Sequence, residues 1–197
     1  MIRFVTGTDT GVGKTIACTR MARAEQARGR KVRYVKPIQT GLMPGEAGSD
    51  ADVVRAAGIE VHELLRFAEP LAPEVAAALE GATIDTDRLV ADVRALEEGC
   101  DLLIVEGAGG LLVPIAPKYD TADFAAALGG EVVIVARPAL GTLNHTALTL
   151  EVARARGLTV AGIVVSDWPV VAGITETTNL ERLRAMAAVL EVIPHDQ

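Results

Sequence analysis

The segment that most constrains this chain is a glycine-rich loop, residues 7–15, with the sequence Gly-Thr-Asp-Thr-Gly-Val-Gly-Lys-Thr. It lies between an apolar run and a helical pattern, which is the context that a Walker A phosphate-binding loop requires. In such a loop, backbone N–H groups surround the phosphates, the lysine contacts the β- and γ-phosphate oxygens, and the threonine hydroxyl can bind Mg²⁺. The strict pattern has glycine at position 8, where this chain has Thr8, so the loop is a variant. The predicted nucleotide contacts here are Gly11, Val12, Gly13, Lys14, Thr15 and Ile16.

The rest of the chain alternates β-branched runs with alanine-rich helical stretches. This alternation predicts an α/β protein, a P-loop NTPase with a mostly parallel central sheet and helices on both faces. A length of 197 residues predicts a single domain, 1–197. The predicted strands are 2–6, 31–36, 102–106, 131–136, 159–165 and 189–193, and the predicted helices are 13–28, 143–156 and one beginning at a capping box of Thr178 and Glu181.

The composition excludes several classes of partner. The formal net charge of −7 and an aromatic content of 3% argue against a nucleic-acid binder, which would show a basic face or stacking platforms. No apolar run approaches the roughly 18 residues that span a bilayer, and the N-terminus lacks the basic segment of a signal peptide. We therefore expect a cytoplasmic protein without a nucleic-acid or membrane partner. Cys18 and Cys100 fit neither a disulfide framework nor a metal site, so we expect buried free thiols.

Two acidic segments are candidates for binding a metal ion. Residues 102–105 are apolar and Glu106 follows them, which resembles a Walker B strand with glutamate in place of aspartate. Ser49 and Asp52 have the spacing of a capping box, which favours Asp50 over Asp52 as a metal ligand but leaves Asp52 as the alternative. Because Mg²⁺ is usually held by one or two carboxylates with phosphate oxygens and waters, we predict a site at Thr15, Asp50 and Glu106.

A lysine at the end of the second predicted strand completes the candidate site. Lys36 precedes Pro37, and ligands of open α/β sheets bind outside the carboxyl ends of the strands. Lys36 is therefore predicted to lie beside the phosphates, with Thr40 and Gly41 within reach of the same crevice.

Four segments, taken together, resemble the dethiobiotin synthetases of biotin biosynthesis: residues 7–15, the run Lys36-Pro37-x-x-Thr40-Gly41, residues 105–110, and residues 141–145. The resemblance implies an ATP-dependent cyclo-ligase that requires Mg²⁺, with ATP as co-substrate. It would carboxylate 7,8-diaminononanoate with CO₂ and close the ring to dethiobiotin, through a carbamate and its phosphorylated mixed anhydride. The family also forms homodimers.

The resemblance also implies roles for individual residues. Lys36, Lys14 and Thr10 would be catalytic, and Thr40 would contact the diamine or the carbamate together with Thr10 and Lys36. The helix N-terminus at Leu143 and Asn144 of the partner subunit would receive the distal carboxylate of the substrate. Further nucleotide contacts would come from Glu106, Gly107, Ala108, Gly109, Ser166, Asp167 and Pro194.

The chain departs from the family's pattern near the nucleotide base. Many members carry Asn-Asp where this chain has Ser166-Asp167, and that asparagine contacts adenine. The departure predicts relaxed base selectivity, with Trp168 either stacked on the base or packed in the core. The alternative function is a nucleotide-switch ATPase of the partitioning and site-selection superfamily, whose loop carries an early lysine where this chain has Asp9.

Overall fold

The computed structural model describes residues 1–195, so Asp196 and Gln197 of the predicted domain 1–197 lie outside the described residues. Nine strands and seven helices are present among the described residues. In chain order they are β1 (Ile2–Gly7), α1 (Lys14–Ala27), β2 (Val32–Thr40), α2 (Asp50–Ala56), β3 (Glu60–Phe67), α3 (Pro73–Leu79), α4 (Thr86–Ala95), β4 (Leu102–Glu106), β5 (Pro114–Ala116), β6 (Tyr119–Asp120), α5 (Thr121–Leu128), β7 (Glu131–Ala136), α6 (Thr142–Ala155), β8 (Thr159–Trp168), α7 (Ile174–Met186) and β9 (Val189–Pro194).

Seven strands form one sheet in the order β3-β2-β4-β1-β7-β8-β9, and every neighbouring pair is parallel. β5 and β6 form a separate antiparallel pair. This architecture confirms the predicted α/β fold. The chain leaves β1 at the centre of the sheet and crosses to β2 beyond β4, so the loop after β1 lies where ligands bind in open α/β sheets.

The buried strands divide the core into two layers, one on each face of the sheet. Alternate side chains of a strand point to opposite faces, so Phe4 lies in one layer and Val5 in the other. The Phe4 and Phe124 rings pack edge to face with centroids 6.0 Å apart. Cys18 is buried and Cys100 is half-buried, and both thiols are free. None of the helices within residues 1–195 has the length and apolar character that crossing a membrane requires.

Several strand predictions were incomplete. The short strands β5 and β6 were not predicted, and β8 continues to Trp168 beyond the predicted end at residue 165. β2 was predicted to end at Lys36, but it continues through Pro37 to Thr40. It continues because it pairs with β3 as far as Thr40–Phe67, after its pairing with β4 has ended at Val35–Val105. β3 itself was missed, because it is an edge strand with four charged or histidine side chains and only Phe67 fully buried.

The predicted start of the last helix was wrong. α7 begins at Ile174, and Thr178 and Glu181 are exposed residues inside it. The same spacing occurs five residues earlier, where the Glu176 carboxylate accepts a hydrogen bond of 2.8 Å from the backbone N–H of Gly173. That earlier contact caps the helix, whose buried residues are Asn179 and Leu183, with Leu180 partly buried against the core.

Candidate active site

The loop after β1 is held by hydrogen bonds to neighbouring strand ends. The backbone N–H of Gly7 donates to the Gly109 carbonyl at 3.0 Å, and that of Thr8 donates to the Val135 carbonyl at 2.9 Å. Gly13 has φ of 90°, and a Cβ added there would lie 2.2 Å from the Ser166 Oγ. Glycine is therefore required at this position by both conformation and space. The close approach brings the end of β8 against the N-terminus of α1.

Lys14, at the first turn of α1, is directed back over the loop. Its side chain is buried, and its ammonium donates a hydrogen bond of 3.1 Å to the backbone carbonyl of Asp9. Burial and the nearby Lys36 ammonium lower the pKa of Lys14 from its usual value. The positive charge of Lys14 is therefore only partly balanced by protein groups, which favours the binding of an anion beside its ammonium.

The residues predicted to bind a metal ion meet at one point. The Thr15 hydroxyl lies 2.9 Å from Asp50 Oδ1 and 3.1 Å from Glu106 Oε1. The Lys36 ammonium contacts the same two carboxylates, at 2.6 Å from Asp50 Oδ2 and 2.8 Å from Glu106 Oε1. The structure thus brings together four side chains that are distant in sequence and come from α1, β2, α2 and β4.

The charge balance of this cluster depends on Lys36. Its side chain is only 5% exposed, and that of Glu106 is 1% exposed. Burial opposes the charged form of Lys36, but the Glu106 and Asp50 carboxylates outweigh burial and raise its pKa above the usual range. Burial likewise opposes the charged form of Asp50, whereas Lys36 and the Thr15 hydroxyl lower the pKa of that carboxyl below its usual value. The cluster is therefore an ion triad with one positive and two negative groups.

The capping box at the start of α2 directs Asp50 into the cluster and Asp52 away from it. The Ser49 hydroxyl accepts from the Asp52 backbone N–H, and the Asp52 carboxylate accepts from the N–H groups of Gly48 and Ser49 and contacts Arg55. The Gln39 side-chain oxygen accepts from the Asp50 backbone N–H at 3.3 Å and ties α2 to β2. The predicted capping role of Asp52 is thereby confirmed.

The cluster lies at the base of a cleft of about 780 Å³. Three contributions to its walls were not predicted from the sequence: Ile38 and Gln39 of β2, residues 70–72 together with Pro73 at the start of α3, and Val113. Pro73 could have indicated the start of a helix here, because proline is frequent at the first position of a helix. The segment from Pro70 to Pro73 would then have been recognised as the end of a loop. Of the predicted residues, the cleft is lined by Thr10, Gly11, Gly13, Lys14, Thr15, Ile16, Lys36, Thr40, Asp50, Glu106, Ala108 and Gly109.

Other predicted residues lie outside this cleft. Val12 is buried in the core, and Gly107 is packed against the Phe4 ring, where an added Cβ would lie 3.0 Å from Phe4 Cζ. Leu143 and Asn144 are in the first turn of α6, where Asn144 is exposed. Trp168 packs against the core and pairs with Pro194 of β9, while Ser166 faces Gly13 and Asp167 is exposed with φ of 64°.

The donor set suits Mg²⁺. One hydroxyl and two carboxylates are the hard oxygen ligands that Mg²⁺ prefers, and the Lys36 ammonium shows that a cation is stabilised between Asp50 and Glu106. Within residues 1–195, no group of three or more histidine, cysteine or acidic side chains could hold a metal ion. A divalent ion here would accordingly need further oxygens from phosphate and water, as is usual for nucleotide-bound Mg²⁺.

Sequence relatives of this chain indicate its activity, whereas solved structures indicate only its fold. A family model described as an AAA domain matches residues 3–195. The chain is 47% identical over 196 residues to the ATP-dependent dethiobiotin synthetase BioD of Mycobacterium avium (strain 104), covering 98% of this chain and 86% of the relative. It is 51% identical over 168 residues to the protein of the same name from Anaeromyxobacter sp. (strain K), covering 83% and 75%.

Solved structures of the same fold are far more distant in sequence. The septum site-determining protein MinD of Pyrococcus horikoshii, solved with Mg-ADP, has a TM-score of 0.64 and 19% identity over 100% of this chain and 82% of that one. The cell division ATPase MinD of Pyrococcus furiosus has a TM-score of 0.66 and 20% identity, covering 99% and 83%. At such identities the likeness supports the P-loop fold, and it leaves the activity to be decided by the sequence relatives and the site.

Proposed function

The chain belongs to the family of ATP-dependent dethiobiotin synthetases, and from that premise we propose how its cleft performs the family's reaction. The enzyme is an ATP-dependent cyclo-ligase of biotin biosynthesis. Its substrates are 7,8-diaminononanoate, CO₂ and ATP. The products are dethiobiotin, ADP and inorganic phosphate.

The reaction forms and breaks bonds in three steps. One amine of the substrate adds to CO₂ and loses a proton, which gives a carbamate. A carbamate oxygen attacks the γ-phosphorus of ATP, the bond from that phosphorus to the bridging oxygen of ADP breaks, and ADP leaves. The second amine then attacks the carbonyl carbon of the mixed anhydride, the bond from that carbon to the phosphate oxygen breaks, and phosphate leaves while the amine proton passes to solvent.

The observation that carries this proposal is the convergence of two buried lysines, Lys14 and Lys36, on one cleft. A carbamate is a weak nucleophile that carries its own negative charge, and the γ-phosphoryl group is anionic as well. The site must therefore hold two anions together and neutralise them, which is catalysis by positioning and electrostatic preorganisation. We assign Lys14 to the β- and γ-phosphates, and Lys36 to the carbamate and the transferred phosphoryl group.

Thr15, Asp50 and Glu106 are the residues proposed to hold Mg²⁺, which would neutralise charge that develops on the phosphate oxygens. The same two carboxylates neutralise Lys36 in this structure. If Mg²⁺ engaged them, Lys36 would lose this pairing and its ammonium would be available to the reacting anions. Without the metal ion, the two carboxylates compensate the charge of the buried lysine.

The remaining walls of the cleft suit a diamine with an apolar chain. Thr10 and Thr40 supply hydroxyls for the amine or carbamate end, and residues 70–73 with Val113 supply apolar surface for the methylene chain. We further propose a homodimer, in which Leu143 and Asn144 of the partner subunit present backbone N–H groups at a helix N-terminus to the substrate carboxylate.

Release of inorganic phosphate from MgATP tests this function directly. We expect release to require both 7,8-diaminononanoate and bicarbonate, and to yield dethiobiotin in equal amount. Release that ignores the diamine would contradict the assignment. It would favour the alternative, a nucleotide-switch ATPase, whose hydrolysis would respond to a partner instead of the diamine.

A further inference from the structure

We propose that Tyr34 is a positioning residue that fixes one oxygen of Glu106, and that it thereby favours Mg²⁺ over Ca²⁺ at the nucleotide site. The proposal rests on the proposed metal site at Thr15, Asp50 and Glu106. Tyr34 itself is not among the residues that line the cleft.

The position of Tyr34 follows from strand register. Tyr34 pairs with Ile104 across β2 and β4, and alternate residues of a strand share a face. Lys36 is two residues after Tyr34, and Glu106 is two residues after Ile104. Both side chains therefore lie on the same face of the sheet as Tyr34. All three side chains meet where β4 ends.

The two oxygens of the Glu106 carboxylate have different environments. Oε1 faces the cleft, where it contacts the Thr15 hydroxyl at 3.1 Å and the Lys36 ammonium at 2.8 Å. Oε2 faces the core, where it accepts a hydrogen bond of 3.0 Å from the Tyr34 hydroxyl. Tyr34 is 0% exposed and Glu106 is 1% exposed, so water does not replace that donor easily.

The hydroxyl of Tyr34 is not explained by packing. Its ring belongs to the core layer that contains Ala17, Cys18 and Ile104, and phenylalanine would fill the same space without burying a polar group. A carboxylate oxygen only accepts hydrogen bonds, so the Tyr34 hydroxyl is the donor in this contact, and it is aimed at one oxygen of Glu106.

This arrangement bears on the choice of metal ion. Ca²⁺ commonly takes both oxygens of a carboxylate in a flexible shell of six to eight ligands, whereas Mg²⁺ demands near-octahedral geometry and is held by few carboxylates. With Oε2 occupied by Tyr34, Glu106 offers the cleft a single oxygen. The hydroxyl therefore orients the ligand for Mg²⁺ and withholds the second oxygen that Ca²⁺ would use.

Tyr34→Phe tests the proposal through binding rather than turnover. The affinity for the β,γ-imido analogue of ATP is measured by calorimetry in EDTA, in Mg²⁺ and in Ca²⁺, and the gain given by each metal ion is compared with wild type. We expect an unchanged affinity in EDTA, a Mg²⁺-dependent gain reduced by about 10-fold, as for other partners of metal ligands, and a Ca²⁺-dependent gain that is kept or increased. Tyr119→Phe, at the β5–β6 pair, is the matched control and should change none of the three.

The opposing outcomes are distinct. Equal reduction of the Mg²⁺ and Ca²⁺ gains, or no change in either, overturns the role of Tyr34 if Glu106→Gln abolishes the Mg²⁺ gain. If Glu106→Gln keeps the full Mg²⁺ gain, the proposed metal site is wrong and the inference is overturned with it. The affinity in EDTA reports whether each variant is folded.

Discussion

Replacing Lys36 by methionine should separate its structural and catalytic roles. The substitution keeps the apolar volume but removes an ammonium that lies 2.6 Å from Asp50 and 2.8 Å from Glu106. Removing one partner of a buried ion pair costs about 3–5 kcal/mol. Because the Asp50 side chain is 35% exposed and partly solvated, we expect a loss near the lower limit, about 3 kcal/mol in the free energy of unfolding. For a chain of this length that corresponds to a decrease in Tm of roughly 6–12 °C.

The effect on turnover should be larger than the effect on nucleotide affinity. We expect kcat to fall by about 10²–10³, the scale of losing one preorganised electrostatic contact. MgATP affinity should change much less, because Lys14 and the phosphate loop remain. The assays are phosphate release at saturating diamine and calorimetric unfolding of the nucleotide-free protein. Lys31→Met, at an exposed lysine just before β2, is the matched control and should leave both quantities unchanged.

Two results would refute this reasoning. Turnover within about threefold of wild type would show that Lys36 does not stabilise the transition state. A Tm equal to that of wild type would show that the buried triad is not an ion pair of the strength that its geometry indicates.

Two further predictions concern the metal ion and the base. Asp50→Asn should raise the Mg²⁺ concentration needed for half-maximal activity more than Asp52→Asn does, because Asp52 is engaged at the helix cap; a Mg²⁺ titration of both variants checks this, and a reversed ranking would mean that the wrong carboxylate was chosen. CTP, GTP and UTP should support turnover with kcat/KM within about tenfold of ATP, since one or two neutral hydrogen bonds to a base contribute roughly 1 kcal/mol each. Parallel kinetics with the four triphosphates measures this, and a preference for ATP above about a hundredfold would show that an unrecognised group contacts adenine.

The parts of the site that were predicted correctly are those specified by residues close together in the sequence. The phosphate loop is defined by nine consecutive residues between a strand and a helix, and Ser49 and Asp52, three positions apart, specify a helix cap. β4 is a fully buried parallel strand, and such strands are continuously apolar. Its apolar run and the terminal Glu106 can therefore be recognised in the sequence without knowing which strands lie beside it.

The parts that escaped prediction depend on contacts between distant segments. The hydrogen bond from Tyr34 to Glu106 joins residues 72 positions apart and follows from strand register, which periodicity within one strand does not reveal. β3 lacks a strong apolar pattern because it is an edge strand, and it forms by pairing with the extended end of β2. The start of α7 was misplaced because Thr178 and Glu181 have the same three-residue spacing as Gly173 and Glu176, and only the second pair forms the cap.

The central claim is that the γ-phosphoryl group of ATP passes to an oxygen of the carbamate, and the fate of that oxygen tests it most directly. The reaction is started with ¹⁸O-labelled CO₂ and stopped before the label exchanges with water, and the inorganic phosphate is analysed by mass spectrometry. Because the carbon–oxygen bond of the mixed anhydride breaks during ring closure, we predict one ¹⁸O atom in each phosphate released. Phosphate without ¹⁸O, formed together with dethiobiotin, would show that ATP is hydrolysed by water and would contradict the account.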